Sequence, residues 1–70
     1  MKVIIEVLRQ GAKVGKLLRE HGWTLDPQGG PHYAATHPRV TDQEKARISL
    51  NVLGLLTSPA VRINFDPRAG

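Results

Sequence analysis

Seventy residues carrying ten Lys+Arg against six Asp+Glu, a formal net charge of +4, make one small basic domain near the lower size at which a single apolar core holds a fold. The absence of Cys excludes disulfides and thiolate metal sites and points to a cytoplasmic rather than a secreted chain. No apolar run approaches the ~18–20 residues of a membrane span, and one each of Trp, Tyr and Phe are too few for a base-stacking platform.

The chain opens with Val3–Leu8 (VIIEVL), rich in β-branched side chains that fit a pleated sheet better than a helix. Its flanks lack a small-residue cleavage site, so it does not read as a signal peptide. Beyond Gly11, residues 12–21 place Val14, Leu17, Leu18 and His21 on one stripe of an amphipathic helix, with Gly22 as its stop. A single helix from Val3 to His21 would carry Gly11 and Gly15 in its interior at about 1 kcal/mol each, which favours strand followed by helix.

Trp23 and Leu25 alternate with Thr24 and Asp26 as a short strand, Pro27-Gln28-Gly29-Gly30-Pro31 has the chemistry of a reversal, and His32–His37 reads as the returning strand. Thr41-Asp42-Gln43-Glu44 then matches a capping box, with Thr41 as the cap of a helix running from Asp42 to about Leu56. That helix is apolar on two sides. Ala46, Leu50, Leu53 and Thr57 line one side, and Ile48, Val52 and Leu55 line the other, the expected partner interface. After Ser58-Pro59, Val61, Ile63 and Phe65 alternate with Arg62 and Asn64 as a one-sided strand, and 66–70 read as a loose tail.

The element order is therefore βαββαβ in a single α+β domain over 1–70, the ferredoxin-like split βαβ pattern with two helices on one face of a small antiparallel sheet. The alternative is an αβββα arrangement like that of double-stranded RNA-binding domains.

Chemistry is narrowly bounded. His32 and His37, five apart on one strand, fall on opposite faces and could share an ion only through a bulge or a frayed end; with no Cys to help, neither metal nor cofactor is expected. No nucleophile elbow and no phosphate-binding glycine loop is present. Histidine acid–base chemistry on an RNA 2′-OH remains open, and His32 is its candidate. The basic residues are dispersed, and Lys13, Lys16, Arg19 and Arg39 are the candidate nucleic-acid contacts.

The run KVGKLLREHGWTLDPQGGPHYAATHP holds Gly22-Trp23, Gln28, Gly30-Pro31-His32 and His37-Pro38. In that register residues 13–38 resemble the N-terminal half of the HicA-type toxins, small metal-independent mRNA interferases. The resemblance implies that His32 is catalytic and that a HicB-like antitoxin is the partner. It also implies an αβββα fold, and Pro31 stands where the family has Ser. Two functional expectations result. One is a small non-enzymatic module that self-associates, as a homodimer, and binds a protein or nucleic-acid partner. The alternative is a HicA-like interferase acting on RNA through His32.

Overall fold

Alternation decides the first element of the computed structural model, which describes residues 2–66. In β1 (Lys2–Val7) Val3 and Ile5 are fully buried while Lys2 is exposed and Ile4 and Glu6 are half-buried, the period of two of a strand covered on one side. There follow α1 (Gly11–Glu20), β2 (Thr24–Gly29), β3 (His32–Thr36), α2 (Gln43–Val52) and β4 (Val61–Asp66). β1 pairs antiparallel with both β3 and β4, and β3 pairs with β2, giving the sheet order β2-β3-β1-β4. This is the ferredoxin-like βαββαβ topology. The αβββα alternative has no strand before its first helix, and β1 at the centre of the sheet overturns it.

Register assigns the two faces. Val3 lies between Ala35 and Phe65, and Ile5 between Tyr33 and Ile63; these rows face the helices. Val14 and Leu18 of α1 and Ala46 and Leu50 of α2 close over them in one apolar cluster. The other face carries Ile4, Ala34 and Asn64 in one row and Glu6, His32 and Arg62 in the next. Neither helix covers it.

Both helices end in the same way. Gly22 (φ +89°) donates to the Arg19 carbonyl at 3.1 Å and Trp23 to the Leu18 carbonyl at 3.0 Å. Gly54 (φ +77°) donates to Asn51 at 2.9 Å and Leu55 to Leu50 at 3.0 Å. These are Schellman closures, in which a left-handed glycine turns the chain back and the next residue packs against the last helical turn. Trp23 and Leu55 are accordingly buried in the core.

The second closure corrects the expected span of α2, which stops at Val52 rather than near Leu56. Leu55 is therefore core and not part of an exposed helix face, and Thr57 is exposed rather than aligned with Ala46 and Leu50. The start of α2 is also shifted by one residue. Asp42, in extended conformation, is the cap and its carboxylate accepts from the Lys45 N–H at 2.8 Å, whereas the Thr41 hydroxyl accepts from Lys45 Nζ at 3.3 Å. Asp is as good a cap as Thr, and moving the start by one residue leaves the Thr41–Glu44 capping box unformed.

The hairpin turn is tighter than expected. β2 continues through Pro27 to Gly29, a bulge between Pro27 and Gly29 absorbs the irregular stretch, and Gly30-Pro31 alone makes the reversal. β4 extends through Asp66, one residue into the expected tail, and residues 67–70 lie outside the described residues.

Asp42→Ala is expected to destabilise the domain by about 1 kcal/mol in urea denaturation, and Thr41→Ala by less than half as much. Equal losses would restore Thr41 as the cap.

Candidate functional site

Three landmarks of the family resemblance, Gly22, Trp23 and His37, meet at the end of α1. His37 follows β3 and its ring stands edge-on to Trp23, with centroids 5.3 Å apart. The Arg39 N–H donates to His37 Nδ1 at 3.0 Å, so that nitrogen carries a lone pair, and His37 Nε2–H donates to the His21 carbonyl at 2.9 Å. Both ring nitrogens are thus occupied, Nδ1 as acceptor and Nε2 as donor. It ties the helix end to the β3–α2 connection, and it has no nitrogen left for acid–base chemistry.

Gly22 is required there for two reasons. Its φ of +89° disfavours any side chain, and a Cβ at this position would lie 2.8 Å from His37 Nε2. His21, one residue earlier, turns its Nδ1–H back to the Leu17 carbonyl at 2.9 Å.

Next to this junction lies the α2 surface. Ile48 and Val52, one helical turn apart, are 58% and 79% exposed. They rim a cleft whose other walls are His21, Trp23 and His37. Lys45 continues the same stripe of α2 one turn earlier, placing a cation at the end of the apolar pair. Of the three residues expected at a partner interface, Ile48 and Val52 belong to this surface and Leu55 does not.

His32 lies elsewhere. It is exposed at the start of β3 on the open face, opposite Gly29 of β2 and Glu6 of β1, and Glu6 in turn lies opposite Arg62 of β4. Directly opposed side chains in an antiparallel pair stand about 5 Å apart at Cβ. The row His32–Glu6–Arg62 therefore sets an imidazole, a carboxylate and a guanidinium in sequence across the sheet. Gln28, another of the landmarks, donates locally to the Asp26 carbonyl at 3.3 Å and to its carboxylate at 3.3 Å.

The basic residues expected to bind nucleic acid do not converge. Lys13 and Lys16 border a groove between α1 and the segment after α2, with Leu17 and Leu53 in its floor. The Arg19 guanidinium lies along the other side of α1, within 3.1 Å of where a Gly15 Cβ would be. Arg39 sits in the β3–α2 connection beside His37. All three locations are on the helix side or its end, whereas His32 faces the opposite side of the sheet. Among the described residues no group of three His, Asp or Glu could hold a metal ion, and no helix is long and apolar enough to cross a membrane.

Sequence reasoning missed the tie made by His37 and the neighbours of His32. The second was within reach. Glu6 and Arg62 occupy outward positions of alternating strands, and only the pairing register was lacking. Comparison with protein-family models, with curated proteins and with solved structures finds no match to this chain.

Gly22→Ala is expected to cost about 2 kcal/mol, combining positive-φ strain with displacement of His37. Gly54→Ala, where the added methyl meets open space, is expected to cost about 1 kcal/mol. Thermal or urea denaturation of the two variants tests the difference.

Proposed function

We propose that this chain is a non-enzymatic binding module that self-associates and docks a protein partner at the cleft rimmed by Ile48 and Val52. The observation that carries this reading is the exposure of those two apolar side chains beside a concavity; among the described residues Leu8 is the one other large apolar side chain that is exposed. Adjacent exposed aliphatic groups with a recess between them and an aromatic wall offer a seat for an apolar side chain of another protein. The net charge of +4 and Lys45 at the end of the stripe favour a partner with carboxylates around its apolar anchor. The resemblance to HicA-type toxins accords with a small protein partner of the HicB kind.

A photo-crosslinker at position 52, recovery of the adduct and titration of the recovered protein test the assignment. Val52→Glu is expected to weaken that complex by at least about tenfold. Equal affinity for both chains would exclude the cleft. Recovery of RNA in place of protein, with binding insensitive to Val52→Glu, would replace the proposal with a nucleic-acid module.

A second reading rests on the row across the open face. His32 is accessible and could exchange a proton with an RNA 2′-OH or leaving oxygen, and Arg62 could meet the phosphate, as in a metal-independent interferase. It predicts RNA cleavage that persists in EDTA and disappears in His32→Ala. RNA left intact by the wild-type chain would remove it.

A further inference from the structure

We propose that β4 is the surface through which two copies of this chain join, antiparallel about a two-fold axis beside Asn64, to form one continuous sheet. The inference rests on the reading that the module self-associates, and it assigns that association to a surface other than the partner cleft.

The two edges of the sheet differ in kind. β2 is guarded against further pairing: it contains Pro27, which has no N–H to donate, a bulge between Pro27 and Gly29, and Gly29 at φ +106°. β4 has none of these devices. Val61–Asp66 contains neither Pro nor Gly, and it pairs with β1 through six consecutive residues without irregularity. Among the described residues no strand pairs with its outer side, and such an edge can template another strand.

The sequence of β4 is complementary to itself. A two-fold axis perpendicular to the sheet keeps the helices of both copies on one side, so residues that face the same way must oppose one another. With the axis at Asn64, Arg62 of each copy lies opposite Asp66 of the other, and Ile63 opposite Phe65. In this register the sequence sets a basic residue against an acidic one twice and Ile63 against Phe65 twice, both arrangements that stabilise cross-strand neighbours. Ile63 and Phe65 are only partly buried against the core of one copy, and this pairing covers them further. Centring the axis on Ile63 instead sets Arg62 against Asn64 and leaves Asp66 opposite Ala60, losing both charge pairs.

A chain without Cys permits a direct test. Opposed residues of an antiparallel pair have Cα atoms roughly 4.5–5.5 Å apart, within disulfide range. Asn64→Cys is therefore expected to form a disulfide-linked dimer on mild oxidation, whereas Glu6→Cys, on the same face but on a central strand, does not. In sedimentation the wild-type chain is expected to dimerise. Arg62→Asp raises the dissociation constant at least about tenfold through like-charge opposition, and adding Asp66→Arg restores it. Arg62 and Asn64 are exposed, and circular dichroism of each variant checks that the fold is retained.

A wild-type monomer at about 100 μM overturns the proposal, as does failure of the charge swap to restore the dimer. Equal cross-linking of Glu6→Cys and Asn64→Cys overturns it too. A dimer that survives Arg62→Asp but is lost in Val52→Glu places self-association on α2, which removes β4 as the interface while leaving the binding-module reading in place.

Discussion

The fold depends on two glycines that let the helices end inside the core. A Schellman closure reverses the chain within two residues and drops the following side chain onto the last helical turn. Here it presses Trp23 against the turn containing Leu18 and Leu55 against the turn containing Leu50. Leu18 and Leu50 are among the largest fully buried side chains of the domain, together with Ile5 and Val3. Burying one such side chain is worth roughly 1.5–3 kcal/mol, so a core with so few of them relies on each helix end to bring a further large residue inward. A looser ending would leave Trp23 or Leu55 in solvent and the core correspondingly thin.

The same closures shape the surface. Because α1 turns at Gly22 without a side chain, the His37 ring can approach its backbone and hold the His21 carbonyl, and that contact sets one wall of the cleft. Because α2 turns at Gly54, its apolar residues divide sharply. Ala46 and Leu50 face the sheet, Leu55 returns to the core, and Ile48 with Val52 remain outside. The exposed pair is therefore a property of α2 alone and not of a longer helix with a second apolar face. Two residues beside a recess constitute a smaller and more specific contact surface than the continuous stripe which the uninterrupted pattern suggested.

Most of the architecture was legible in the chain because strand alternation and helical periodicity are local signals. Val3 and Ile5, or Val61 and Ile63, declare their faces without knowledge of any partner strand, and Gly22 marks the end of α1. The errors arose where a local pattern was ambiguous at its ends. The apolar spacing of Leu53, Leu55 and Leu56 prolongs a helical reading, although Gly54 interrupts it. Thr41 and Asp42 are both competent caps, and the helix starts at Asp42, which takes the extended conformation and accepts from the Lys45 N–H. The site was less legible because its geometry is non-local. Nothing in the sequence near His37 indicates that its ring reaches back sixteen positions to His21, and the meeting of Glu6 with His32 and Arg62 needs the pairing register as well as the alternation.

That geometry also changes what the family resemblance can mean. Gly22, Trp23 and His37 form a single stabilising junction in which every polar contact of the imidazole is spent on backbone groups. Gln28 is engaged within its own hairpin. Stability therefore explains these landmarks whether or not any RNA is cleaved, and their spacing would persist in a module that has only to fold and bind. His32 is different, because it is exposed on the open face and no packing requirement accounts for it. The catalytic content of the resemblance reduces to that one residue. Beside it stands Glu6, a carboxylate that would oppose the approach of a phosphate, and the lysines of α1 lie across the sheet from it. The same row carries Arg62, so the open face offers a phosphate one cation beside one anion, whereas Lys13 and Lys16 lie on the helix side.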